Sequence, residues 1–145
     1  TEYLAGKEVG DNVIIVGGGL TGCEIAYELI LKGKKPQIVE MKNDLIAVKG
    51  VCLANSSFLR EMLVFKKAPI YLDTTLLEIK EDGVIVKDKD GKTFDLKGDS
   101  VIVSIGYNPT PLVKASKHVH IVGDADKVGN LRTVIWRAWD VCMKL

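Results

Sequence analysis

The spacing of apolar and polar positions changes several times along this chain, and each change marks a new element. Val13-Ile14-Ile15-Val16 is an unbroken apolar run, the pattern of a strand buried on both faces. It runs into Gly17-Gly18-Gly19, after which the period becomes helical. Cys23, Ala26, Tyr27 and Ile30 recur at spacings of three and four, which predicts a helix over Leu20–Leu31 with Gly33 as its stop. Gln37-Ile38-Val39-Glu40 reads as the next strand. Met41 to Gly50 has no period and is expected to cross the edge of a site. Asn55, Phe58, Leu59, Met62 and Leu63 then form an apolar stripe that predicts a second helix over Cys52–Lys66, with Phe58 and Met62 read as packing residues.

Beyond a short strand at Ile70–Leu72 the period becomes alternating. Leu76–Lys80, Gly83–Lys87 and Lys92–Leu96 read as three short strands joined at Glu81-Asp82-Gly83 and Asp88-Lys89-Asp90-Gly91, acid–glycine turns of the hairpin kind. This predicts an antiparallel meander whose charges form a solvated face. Asp99–Ser104 is a further apolar strand, closed off by Pro109 and Pro111. Val119–Val122 reads as one more strand and Asn130–Lys144 as a final helix. That helix carries one apolar stripe of Val134, Ile135, Ala138, Val141, Cys142 and Leu145, and a second of Trp136, Trp139 and Met143. A surface helix needs only one. The second is expected to be covered by another part of a larger protein, the alternatives being burial of both within this chain or dimerisation.

Composition narrows the class. A chain of 145 residues suffices to bury about 70% of its unfolded surface. Its 20 basic and 19 acidic residues leave a net charge of +1 without a block of either sign, so neither nucleic acid nor a membrane surface is an expected partner. No apolar run approaches the ~20 residues of a membrane span, and Thr1–Gly10 has no signal-peptide pattern, which leads us to expect a cytoplasmic protein. The start at threonine suggests a piece of a longer chain. Cys23, Cys52 and Cys142 lack metal spacing and read as small buried hydrophobes; for Cys23, packing is preferred over a thiolate activated by the helix dipole. His118 and His120 lack a third ligand, so no metal is expected.

The chemistry lies in the glycine cluster. Gly17 permits a tight turn out of the strand, Gly19 leaves room for a pyrophosphate, and Gly22 lets the helix pack close to the strand. The free amides of the first helical turn then face the phosphates, with Gly18, Leu20 and Thr21 alongside. Glu40 follows Gly22 by 18 residues, where a carboxylate can accept both ribose hydroxyls of an adenosine. Met41 and Lys42 adjoin it. The carboxylate favours NADH over NADPH, and Lys42 weakens that preference without reversing it. The expected fold is thus α/β, a Rossmann-like three-layer NAD(P)-binding domain with an antiparallel meander.

Three segments together resemble a known family. They are Val16-Gly17-Gly18-Gly19-Leu20-Thr21-Gly22-Cys23-Glu24 with Ile38-Val39-Glu40, then Val103-Ser104-Ile105-Gly106-Tyr107-Asn108-Pro109, then Val122-Gly123-Asp124-Ala125. They look like the pyridine-nucleotide:disulfide-oxidoreductase type of flavoprotein, in which an NAD(P)H domain is inserted into an FAD domain. The tail from Lys117 to Asn130 is similar to NADH:flavin oxidoreductases of the 2-enoate and 2,4-dienoyl-CoA reductase kind. The resemblance implies a linker at 1–10, an NAD(H)-binding domain at 11–103, and at 104–145 the returning segment of an FAD domain. It also implies Glu24 near the nicotinamide, Gly106 along the nucleotide and Asp124 toward the flavin, with FMN and an iron–sulfur cluster on domains absent here. Outside the resemblance, Glu24 reads as an ordinary first-turn acid and Asp124 as a turn or capping residue. Only one GxGxxG occurs, whereas the family's FAD domain begins with its own. The isolated chain is accordingly expected to bind NADH without turnover and to supply no general acid or base. Two other readings stay open: a regulatory dinucleotide sensor, which would be doubly wound throughout and lack the meander, and an interaction module resting on the tryptophan face.

Overall fold

The computed structural model describes every residue except Lys49. It divides into two compact units, Thr1–Ile105 and Gly106–Leu145.

The first unit has three layers. Its centre is a parallel sheet in the order β3-β2-β1-β7, formed by β1 (Asn12–Val16), β2 (Lys35–Val39), β3 (Ile70–Tyr71) and β7 (Ser100–Val103). β1 lies between β2 and β7, with Ile15 opposite Ile38 on one side and Ile102 on the other. Because side chains alternate along a strand, the apolar run of β1 serves two cores at once. Val13 and Ile15 face helices α1 (Leu20–Leu31) and α2 (Leu53–Phe65), packing with Cys23, Ala26, Leu29, Leu59 and Leu63. Ile14 and Val16 face the opposite way, against Val84, Val86 and Leu96. Those three belong to the expected meander, β4 (Thr75–Lys80), β5 (Gly83–Lys87) and β6 (Thr93–Lys97), paired antiparallel in the order β4-β5-β6.

Details of the sequence pattern shift. The buried positions of α2 are Ser56, Leu59 and Leu63, while Phe58 lies at the margin, edge-on to Tyr27 at a centroid distance of 5.5 Å. Residues 1–10 lie against α1. The Lys34 ammonium donates to the carbonyls of Val9 at 2.7 Å and Gly10 at 2.9 Å, and Tyr3 and Val9 pack on the core. Of the cysteines only Cys23 is buried; Cys52 and Cys142 are exposed, contrary to expectation, because one precedes α2 at its N-cap and the other ends the last helix, α3 (Leu131–Cys142).

In the second unit, a short 3-10 turn at Gly123–Ala125 precedes α3 (Leu131–Cys142). A capping box starts α3: the Asn130 side chain accepts from the Thr133 amide at 3.0 Å, and the Asn130 amide donates to Thr133 Oγ1 at 2.9 Å. The strand expected at Val119–Val122 is absent. One bridge pairs Ser116 with Val119, and a four-residue apolar run without a neighbouring strand has nothing to extend that ladder. Neither stripe of α3 is buried: Trp136 and Trp139 are 58% and 55% exposed, and no residue of the helix is fully covered.

Candidate functional site

The glycine turn sits between the end of β1 and the start of α1, at the edge where the parallel strands end. Gly17 has φ +111°, a conformation that side chains rarely adopt, and a Cβ there would fall 2.3 Å from the Ser104 carbonyl oxygen. A Cβ on Gly22 would meet the Gly17 carbonyl oxygen at 2.0 Å, so the helix approaches the turn as closely as backbone permits. Gly19 is different. Nothing lies within 4 Å of where its Cβ would be. The first helical hydrogen bond runs from Cys23 N to Gly19 O at 3.0 Å, and Gly19, as N-cap, has no side chain to cap with. The amides of Leu20, Thr21 and Gly22 therefore begin α1 without intrahelical partners. This is a cradle that any side chain at 19 would fill, and its amides and dipole suit an anion.

Glu40, just beyond β2, is 7% exposed. Its Oε2 accepts from the Gly18 amide at 2.6 Å, and its Oε1 from the Lys42 amide at 2.8 Å. Each oxygen retains a further lone pair, so the carboxylate can still accept from a ribose hydroxyl. Met41 is 70% exposed, and Lys42 is exposed with its ammonium donating to Ala47 O at 3.3 Å. Glu24 is exposed and lies in the second turn of α1, not the first, which removes its reading as a first-turn acid. Burial pushes the Cys23 thiol up to about 12, with nearby Glu40 adding to the effect and Arg60 opposing it. Its Sγ donates to the Gly18 carbonyl at 3.4 Å. Cys23 is thus a packing residue, as expected.

Within the aperiodic segment expected to cross the edge of the site, residues 44–46 are tied to the glycine turn. Leu45 and Ile46 are 4% and 2% exposed, and the Ile46 amide donates to Gly18 O at 2.7 Å. Arg60 on α2 holds this turn in place by hydrogen bonds to Leu45 O. Sequence reasoning missed all three. Their only signal was two apolar residues inside a charged, aperiodic loop, with a single arginine beside the stripe of the following helix.

Gly106 and Asp124 lie in the second unit. Gly106 has φ +102° and open space around it. The exposed Asp124 carboxylate accepts from the Gly129 amide at 3.0 Å. Of residues 106–145 only Gly123 is buried, and the N-terminus of α3 is closed by its own capping box. These residues by themselves do not enclose a flavin. Among the described residues no group of His, Cys, Asp and Glu could hold a metal ion, and no helix is long and apolar enough to cross a membrane.

A parallel sheet, a helix opened by glycines and left uncapped, and a buried acid after the second strand define a Rossmann-type nucleotide-binding domain. The chain belongs to the pyridine nucleotide-disulphide oxidoreductase family, whose signature matches residues 1–130. Over 145 aligned residues it is 34% identical to a cinnamate reductase of Clostridium sporogenes, covering 96% of this chain and 22% of that protein. It is 30% identical to an NADH oxidase of Thermoanaerobacter brockii, covering 99% and 23%. A 2-naphthoyl-CoA reductase structure superimposes with a TM-score of 0.82 over 98% of this chain and 22% of that one, at 22% identity. The chain therefore spans less than a quarter of the length of these relatives. The family is one of oxidoreductases that use pyridine nucleotides.

Proposed function

We propose that this chain is the NADH-docking part of a multidomain flavin reductase of the 2-enoate type. The observation that carries the reading is the uncapped start of α1 beside the open position at Gly19, with the buried Glu40 next to it. In this reading the amides of Gly19, Leu20, Thr21 and Gly22 hold the pyrophosphate, with Gly17 shaping the turn and Gly18 held against Glu40 beside it. Glu40 accepts the adenosine ribose hydroxyls, flanked by Met41 and Lys42. Glu24 lies toward the nicotinamide, Gly106 along the nucleotide and Asp124 toward a flavin. The reduced nicotinamide supplies a hydride when bound; what the residues contribute is its placement, without an acid or base. FAD, FMN and an iron–sulfur cluster would reside with the remaining domains of the parent protein, where an activated carbon–carbon double bond is reduced. The relatives support that class, being named as cinnamate and 2-naphthoyl-CoA reductases. The antiparallel β4-β5-β6 meander favours this over a dinucleotide sensor, which would be doubly wound there.

The test uses the parent protein under anaerobic conditions. Adding NADH is expected to bleach its flavin absorbance, and adding cinnamate as acceptor to restore it, with Gly19→Ala abolishing the bleaching. A parent that holds no flavin, or whose flavin NADH leaves oxidised, would overturn the reading.

A further inference from the structure

The peptide of Gly18 is held from three directions. Its amide donates to Glu40 Oε2 at 2.6 Å, and its carbonyl accepts from the Ile46 amide at 2.7 Å and from Cys23 Sγ at 3.4 Å. Ile46, which supplies the shorter of the two bonds to that carbonyl, has φ +52°, an unfavourable conformation for a β-branched side chain. Something must keep it there. Arg60 reaches from α2 with Nε and Nη2 on Leu45 O at 3.0 and 2.7 Å, and Nη2 within 3.4 Å of Ile46 O. The Asp44 carboxylate lies 3.3 Å from the same nitrogen. Arg60 is not part of the buried face of α2, which is formed by Ser56, Leu59 and Leu63. The guanidinium fork is spent on the one turn that bonds Gly18.

We propose that Arg60 is a positioning residue of the dinucleotide site: through the 44–46 turn it sets where the Gly18 peptide, and the anion cradle after it, stands. This rests on the reading of Gly17–Gly22 as a pyrophosphate cradle. Arginine suits the task because its rigid fork can address two acceptors in one plane, which an ammonium cannot. A cradle of amides tolerates little displacement before affinity falls.

The experiment compares wild type, Arg60→Met and Arg60→Lys in the 145-residue chain, by NADH calorimetry and by backbone amide resonances without ligand. The inference expects NADH to bind about tenfold more weakly to Arg60→Met and with intermediate affinity to Arg60→Lys. It also expects the ligand-free resonances of Gly17, Gly18 and Gly19 to move while those of Val84, Val86 and Leu96 stay. A purely structural role would lower the unfolding midpoint without moving the glycine amides. A folded Arg60→Met that binds NADH within twofold of wild type, or whose shifted resonances stop at residues 44–46, overturns the inference alone. Should Arg60→Met not fold, Arg60→Lys carries both readouts. A wild-type chain that binds no NADH overturns the cradle reading beneath it, a failure distinguishable because it appears before any substitution is made.

Discussion

Two glycines of the site, Gly22 and Gly19, answer to different pressures, and substitution separates them. Alanine at Gly22 forces a methyl group against backbone 2.0 Å away, so Gly22→Ala is expected to cost about 2–3 kcal/mol in urea unfolding. Alanine at Gly19 meets nothing within 4 Å. Gly19→Ala should therefore cost at most about 1 kcal/mol, the loss of a good N-cap residue, yet weaken NADH at least tenfold by occupying the cradle. Equal effects of the two on stability would contradict this division of roles. The turn was legible in the sequence because its constraints fall on side-chain size at fixed spacing. Its supports were not. Ile46 and Arg60 act through backbone amides and carbonyls, which leave no residue-type signature, and the grip of Glu40 on Gly18 is hidden behind the ribose role its position suggests.

The elements were legible wherever one period persisted. The parallel strands, both helices of the first unit and the meander follow the apolar pattern within a residue or two. Val119–Val122 failed because a strand is made by a partner, and the run itself does not show whether one is near. The buried face of α2 includes Ser56, whose hydroxyl donates to Leu53 O at 3.1 Å and so can be buried where an apolar stripe would not place it. Between elements, Asp99 ties the entry of β1 to the start of β7. Its carboxylate accepts from the Asn12 amide at 2.9 Å and the Asp11 amide at 3.1 Å. The bond from the Asn12 amide, first among several, holds its pKa below the usual aspartate value, against an opposing desolvation cost. A depressed carboxylate pKa contributes stability that is present above the unfolded-state value and lost as pH falls through the folded one. Asp99→Asn is thus expected to lower stability by about 1 kcal/mol at pH 7, discounted for its exposure, and by nothing measurable near pH 2. Urea titrations at the two pH values check this; an equal loss at both would show that the charge is not what matters.

At the scale of the molecule, the two units differ in how much apolar surface each covers for itself. The first builds two cores on opposite faces of one sheet, while α3 leaves both of its stripes exposed. Replacing Trp136 and Trp139 together by serine should raise the solubility of the chain and change its unfolding free energy by less than about 1 kcal/mol. Marked destabilisation would show that the tryptophans are core. The family was legible only because the glycine turn, Glu40 and the Gly106–Pro109 segment occur in one order; each alone is unspecific. One calorimetric comparison tests the dinucleotide site most directly, NADH and NADPH titrated into the wild-type chain and into Gly19→Ala. Micromolar-range binding of NADH is expected, with weaker binding of NADPH because the Glu40 carboxylate repels a 2′-phosphate, and loss of both in the variant. No heat from either nucleotide at millimolar concentration, or equal binding to wild type and variant, would contradict that reading.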